Sequence, residues 1–255
     1  MPDELDDALD RAAELLRSAR CVAVLTGAGV SAESGVPTFR ASDGLWEGHR
    51  IEDVATPFAF RRNPRLVWQF YNLRLANVGA VKPNPGHIAL AKLEGRWGED
   101  FALATQNVDG LHRAAGSRNV LEVHGSLYRT RCTGCAEVAD RGLEPLGELP
   151  TCPTCSALLR PDIVWFHESL PEDVWEAAML AAHRADVLLV VGTSAVVYPA
   201  ASLIPITRGD GQTKSVPGKV IEFNLTPTEA SRLADVGVYG PSGQTLPRLC
   251  ERLGL

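Results

Sequence analysis

Four cysteines are spaced to hold one metal ion. Cys132-Thr133-Gly134-Cys135 and Cys152-Pro153-Thr154-Cys155 form two CxxC pairs separated by sixteen residues. A CxxC turn presents two thiolates to one point, and two such turns complete a tetrahedral S4 set, the pattern of a structural Zn2+ with no open position for catalysis. A dithiol redox pair or an iron–sulfur cluster would use the same residues. Cys21 and Cys250 lie outside the spacing and read as core residues. Three further segments place polar groups directly after short apolar runs. Thr26-Gly27-Ala28-Gly29-Val30-Ser31 puts glycines where a backbone must approach a ligand closely, as around a pyrophosphate at a helix N-terminus, although a structural glycine turn would look alike. Gln106-Asn107-Val108-Asp109 stacks amides and a carboxylate at one point of the chain, which is costly unless they bind something or cap a turn. Glu122-Val123-His124-Gly125 offers an imidazole able to act as a base near neutral pH, beside a glycine that opens the backbone.

These groups need a frame that brings distant segments together. Short β-branched runs recur at Cys21–Thr26, Phe101–Gln106, Val120–Val123, Val187–Val191 and Val220–Asn224, with helical spacing at Leu5–Ala19, Gly86–Glu94 and Pro171–Arg184. Apolar strands without polar alternation, separated by helices, predict a doubly wound α/β fold with a parallel sheet covered on both faces. Ligands of such sheets sit beyond the strand C-termini, where the polar groups above are found. Two stretches break the rhythm. Residues 44–82, rich in Trp, Phe and Arg with Pro57 and Pro64 as punctuation, read as a helical insertion, and 126–161 read as a zinc-binding module. The expected division is a large domain from 1–43, 83–125 and 162–255, with the two insertions forming a small domain. Thr207–Pro217 reads as a surface loop.

Composition mainly excludes. Among the 255 residues 45% are hydrophobic and 22% charged, and the net charge is −6 without a run of like charge, so direct nucleic-acid binding is not expected. No stretch approaches the roughly 18 apolar residues of a membrane span, and the acidic start MPDELDDALD is unlike a signal peptide. The expectation is a cytoplasmic monomer with reduced thiols.

The fifteen residues Thr26–Arg40, TGAGVSAESGVPTFR, resemble the cofactor-loop signature of the sirtuin family, and Thr105–His112, TQNVDGLH, resembles its nicotinamide-side segment. His124-Gly125-Ser126 is similar to the family's catalytic histidine segment, and Arg160–Glu168, RPDIVWFHE, to its peptide-binding segment, with His167 where a glycine is usual. The resemblance runs from about Leu16 to Leu246. It implies a Rossmann-like domain with a smaller zinc-and-helix domain, NAD consumed as co-substrate, and acyl-lysine proteins or peptides as partners. Carried over, Gly27, Ala28, Gly29, Ser31, Phe39, Arg40, Trp46, Gln106, Asn107, Asp109, Gly192, Thr193, Ser194, Asn224, Leu225 and Ser242 bind NAD. His124 and Asn107 are catalytic, and Val164, Trp165 and Phe166 hold the peptide. The implied reaction has the acyl oxygen attack the ribose as nicotinamide leaves, with His124 as base on the ribose hydroxyls, giving free lysine and O-acyl-ADP-ribose.

Residues 54–74 resemble the subclass that removes succinyl, malonyl and glutaryl groups. Tyr71 and Arg74 stand at i and i+3 on one helix face, where a guanidinium fork and a hydroxyl can read a carboxylate, and the small Ala55 leaves room. Outside that resemblance the pair would be an ordinary helix pair, and acetyl-lysine stays open as a substrate. Two other classes stay open as well: a mono-ADP-ribosyltransferase, and a non-catalytic NAD-binding module.

Overall fold

The computed structural model describes residues 2–37, 45, 46, 49–209, 214 and 216–255. Helix α1 (Pro2–Ser18) leads into β1 (Val22–Thr26) and the single turn α2 (Gly29–Ala32). Two short strands follow, β2 (Leu45–Trp46) and β3 (His49–Arg50), then helices α3 (Ile51–Val54), α4 (Pro57–Arg62) and α5 (Pro64–Gly79). The chain continues through α6 (Pro85–Trp97), β4 (Phe101–Thr105), α7 (Leu111–Ala114) and β5 (Val120–Glu122). After β6 (Gly125–Cys132), β7 (Val138–Asp140) and β8 (Leu159–Ile163) come α8 (Glu172–Arg184), β9 (Val187–Val191), α9 (Leu203–Arg208), β10 (Lys219–Asn224), β11 (Val236–Tyr239) and α10 (Ser242–Leu253).

Six strands form a parallel sheet in the order β11-β10-β9-β1-β4-β5. The chain therefore starts in the middle, builds outward to β5, and returns to build the other half from β9. The strand order reverses between β1 and β9, which is the switch point where doubly wound sheets open a crevice. Strand pleating sends Val22 and Val24 into a core with α1, α6 and α10, while Ala23 and Leu25 face a second core with α8 and α9. Both faces are covered, which explains why these strands are apolar throughout. The strand β11 was not anticipated; Val236-Gly237-Val238-Tyr239 is only four residues and contains a glycine.

A second, three-stranded antiparallel sheet of order β7-β6-β8 packs with α3, α4 and α5 around a third core that includes Trp68, Phe70, Tyr71, Leu127, Ile163 and Trp165. Pro57 and Pro64 each open a helix at N1, behind Thr56 and Asn63 as side-chain caps. The indole Nε1 of Trp68 donates to the Leu159 carbonyl at 2.9 Å, tying α5 to β8. Two expectations need correction. Thr207 is fully buried in the last turn of α9, its hydroxyl donating to Leu203, so no surface loop begins there. Cys21 is only partly buried, beside Asp100, whereas Cys250 is in the core. Among the described residues no helix is long and apolar enough to cross a membrane.

Candidate active site

The loops after β1 and β9 pass so closely that neither tolerates a side chain. Gly29 N–H donates to the Gly192 carbonyl at 2.7 Å. A Cβ on Gly29 would lie 2.7 Å from that oxygen, and one on Gly192, whose φ is +58°, would lie 2.3 Å from Val30 N. These glycines thus permit the crossing of two loops at the switch point as well as leaving the backbone bare toward the crevice. Beyond the crossing opens a cavity of about 350 Å3. Its walls include Gly27, Ala28, Gly29, Gln106, Asn107, Asp109, His124, Gly192, Thr193, Ser194 and Asn224 from five strand ends, with Arg74 and Phe166 at the other side.

The amides at the strand ends cross-link those walls. Gln106 donates to the Thr193 hydroxyl at 2.9 Å, and Asn224 donates to the Thr193 carbonyl at 2.8 Å. Asn107 donates to the Gly27 carbonyl at 3.0 Å and to Ser31 Oγ at 3.1 Å. Ser31, fully buried beneath the cavity floor, donates in turn to Asp109 Oδ2 at 2.7 Å, whose Oδ1 accepts from Leu111 N–H. Burial raises the Asp109 pKa, against the hydrogen bonds from Leu111 and Ser31 that favour its carboxylate. His87 Nδ1 accepts from Asn84 N–H, so its Nε2 carries the proton toward Ser31 Oγ at 3.3 Å. The ring of His112 lies 4.9 Å from that of His87, tilted by 58°, with Nε2 on Thr26 Oγ1 at 2.9 Å. Burial lowers the two imidazoles to about 4 and about 3, so both are neutral.

His124 is set differently. Its Nδ1 lies 3.1 Å from the Gln106 carbonyl. A carbonyl only accepts, so Nδ1 holds the proton and the Nε2 lone pair is left as a base. Desolvation lowers its pKa, opposed by that hydrogen bond, which keeps the ring neutral near pH 7. The following Gly125 has φ +79°, and a Cβ there would fall 2.1 Å from the Asp162 carbonyl oxygen. No other residue fits where the chain leaves the large sheet for the small one.

On the far side of the cavity Tyr71 is fully buried and its hydroxyl accepts from Trp165 Nε1–H at 2.9 Å. The Tyr71 proton is therefore still available to donate, and burial pushes its pKa up to about 12, so it stays protonated. Arg74, one turn further on, is buried and lines the cavity. Trp165 also carries the Arg160 guanidinium 3.5 Å over its ring, and Arg160 forms a fork with Glu168. The N–H groups of Val164, Trp165 and Phe166 are all used within the chain, on His124 O, Glu168 and Ala55 O. An extended ligand along this segment would thus be met by carbonyls and side chains rather than by those three donors. His167 has φ +71°, so the glycine-type backbone is kept there by a residue that tolerates it.

Several anticipated residues do not line the cavity. Ser31 lies beneath it; Ala55, Tyr71 and Trp165 are in the neighbouring core; Leu225 is exposed; Ser242 donates to Glu33 Oε1 at 3.0 Å. Phe39 and Arg40 lie outside the described residues, and of Trp46 only the strand backbone, paired with His49, is described. Val36, Pro37, Val197 and Thr228 line the cavity without having been singled out. His87 reaches Ser31 of the Ser31–Asp109 pair from the α6 cap, where Asn84 and His87 cap the helix reciprocally.

The four cysteine Sγ atoms lie within 4.8 Å of one another, with Cys132–Cys155 at 3.3 Å and Cys135–Cys152 at 3.8 Å. Zinc–sulfur bonds of about 2.3 Å put tetrahedral sulfurs roughly 3.8 Å apart, so the set fits. The residue after each knuckle, Ala136 and Ser156, is left-handed at φ +61° and +63°, which turns both chains back alike. N–H groups of Cys135 and Gly134 point at Cys132 Sγ and, through such bonds, lower its pKa toward the thiolate. The four thiols are placed to bind a structural zinc.

A switch-point cavity with a bare glycine edge and a neutral imidazole, beside a small sheet whose four thiols are placed for zinc, is the layout of a nucleotide-binding protein of the doubly wound class. Residues 27–199 match the model of the Sir2 family, and the chain belongs to that family, the sirtuins. An NAD-dependent protein deacylase of Pyrococcus furiosus is 48% identical over 251 residues, which cover 96% of this chain and 98% of that protein. Among solved structures, a variant Sir2 homologue in complex with 2′-O-acetyl-ADP-ribose superposes with a TM-score of 0.86 at 44% identity, covering 96% of each chain. A Sir2 protein bound to a myristoylated histone peptide gives 0.76 at 35% identity, covering 97% of each.

Proposed function

We propose that this chain is an NAD-dependent protein-lysine deacylase in which His124 is the base. The observation that carries the reading is the contact of His124 Nδ1 with the Gln106 carbonyl at 3.1 Å, which sets the tautomer. Its Nδ1–H is fixed by the Gln106 carbonyl, and its Nε2 is free to take a proton from a ribose hydroxyl in the cavity. Asn107, Asp109 and Ser31 would hold the nicotinamide end through the network on the floor, and the glycine crossing would take the phosphates. NAD bound there supplies the ribose to which the acyl group is transferred. The names of close relatives and the acyl-ADP-ribose and acyl-peptide complexes favour deacylation over ADP-ribosyl transfer to protein, and over simple NAD binding. His124→Ala should lower kcat at least about a thousandfold, within the usual worth of a positioned base, while NAD binding by calorimetry stays within about twofold. Turnover that survives the substitution would remove His124 from the mechanism. In the wild type the acidic limb of kcat/KM should fall below pH 6.5, because burial lowers the His124 pKa from that value.

The finer reading is that the acyl pocket takes an acidic group such as succinyl or malonyl. Arg74 faces the cavity from a buried position, Tyr71 keeps a donor proton one turn away, and Ala55 takes up little space. Succinyl- and acetyl-lysine forms of one peptide, compared in wild type and Arg74→Met, test it. The wild type should prefer succinyl, and the variant should lose about 10- to 100-fold of that activity, the worth of charged hydrogen bonds to one carboxylate. An acetyl preference in the wild type, or an unchanged variant, would make Tyr71 and Arg74 structural.

A further inference from the structure

Two chain segments meet at His124, and a single side chain holds both. Glu122 ends β5 of the large sheet two residues before His124, and Asp162 lies in β8 of the small sheet two residues before Val164. Arg129, on β6, donates from its Nη1 to Glu122 Oε2 at 2.8 Å and from its Nε to Asp162 Oδ2 at 3.0 Å. Both carboxylates are only 8% exposed. The backbone closes the same junction, since Val164 N–H donates to the His124 carbonyl at 3.0 Å and Gly125 pairs with Ile163. Yet the β6–β8 ladder is irregular between Gly125 and Thr130, so backbone pairing alone does not set how the two segments lie. Arg129 sits in that irregular stretch and spans it with a planar, rigid fork.

We infer that Arg129 is a positioning residue that holds the catalytic base and the substrate-carrying segment in one frame, through Glu122 on one side and Asp162 on the other. The inference rests on the proposed roles of His124 and of residues 164–166. It makes the two arms separable. Glu122 leads only to the base, and Asp162 leads only to the segment that carries the acyl-peptide. The charges are not left bare when Arg129 is removed. Arg131 still reaches Asp162 at 2.8 Å, and Arg113 lies 3.6 Å from Glu122, so a neutral substitution leaves a folded protein.

The test is steady-state kinetics of the full-length, zinc-loaded enzyme on an acyl-lysine peptide with NAD. Glu122→Gln should lower kcat about tenfold with the peptide KM within about twofold, because sub-ångström displacement of a base is enough for such a loss. Asp162→Asn should raise the peptide KM about tenfold with kcat within about twofold. Arg129→Gln should do both with the NAD KM unchanged, Arg129→Lys should restore part of one effect, and adding Glu122→Gln to Arg129→Gln should cost nothing further in kcat. If Asp162→Asn does not fold, Arg129→Gln with Arg131 intact carries the KM arm. Equal changes in kcat and KM for both single variants, or multiplicative losses in the double variant, would overturn the inference. Those results differ from failure of the deacylase reading itself, in which His124→Ala would remain active.

Discussion

The zinc module and the switch-point cavity are built on opposite terms. In the module each ligand pair is three residues apart, and around the buried Cys132 and Cys152 the knuckle residues are largely exposed. The cavity is lined from residues 27 to 228, and Asn107, Asp109 and Thr193, with Ser31 beneath them, are each less than a tenth exposed. The module is placed to take its order from a metal; the cavity takes its order from the two cores beneath the sheet and from hydrogen bonds between loops. Local spacing suffices for the first, whereas the second needs the whole fold.

The largest effect that separates them is removal of zinc. Structural zinc contributes on the order of 10 kcal/mol to the fold of small modules, far more than the remaining contacts of 132–158 can replace. A strong chelator, or Cys132→Ser, should therefore melt the small sheet and abolish peptide turnover. The large sheet should survive, because neither of its cores contains residues of the knuckles. Calorimetry should show one transition lost and one kept. A single transition that shifts as a whole would mean that the two regions fold as one unit, and the contrast would fail.

A smaller effect probes the cavity. Gly192→Ala places a methyl 2.3 Å from the backbone N of Val30 in a left-handed conformation, so strain and overpacking together should cost about 4 kcal/mol. The loops must separate to accept it, and the NAD KM should rise at least about tenfold while zinc content stays unchanged. Unaltered NAD binding would show that the crossing is not what shapes the cavity.

How much could be read beforehand follows the same division. The CxxC pairs, the five apolar runs and the polar strand ends are signals carried by a few adjacent residues, and they led to the thiol cluster and the cavity walls. The strands of the small sheet were not separated from the zinc module, because β6 carries Arg129 and Arg131, whose charges are met by Glu122 and Asp162 on other strands. Such pairings are invisible until the chain is folded. Ser242 opens α10, and its hydroxyl turns to Glu33, a residue 209 positions away; adjacency in sequence does not reveal that choice. The side of the cavity formed by Val36, Pro37 and Thr228 has no chemical signature, since apolar and hydroxyl side chains line surfaces everywhere.

The smallest predicted effect concerns the buried histidines below the cavity, and its sign follows from their burial. His87 and His112 titrate near 6.5 when unfolded but are lowered to about 4 and about 3 in the native state. Their contribution is complete above pH 6.5. As the pH falls the unfolded chain binds protons first, so stability is lost from pH 6.5 down to about 4 for His87 and about 3 for His112. At pH 4 each imidazole should have cost roughly 3 kcal/mol relative to pH 7.5. Denaturant unfolding of the zinc-loaded enzyme across that range should show the slope, and His87→Gln, which keeps a donor and an acceptor without the titration, should remove about half of it. The zinc module would also lose its metal in acid as the thiolates protonate, so the large-sheet transition is the one to follow. A His87→Gln protein whose large-sheet stability falls as steeply as wild type would show that the imidazoles are solvated enough to protonate in place. The polar floor of the cavity would then be open to water, and the rigidity that distinguishes it from the zinc module would have to come from the loop crossing alone.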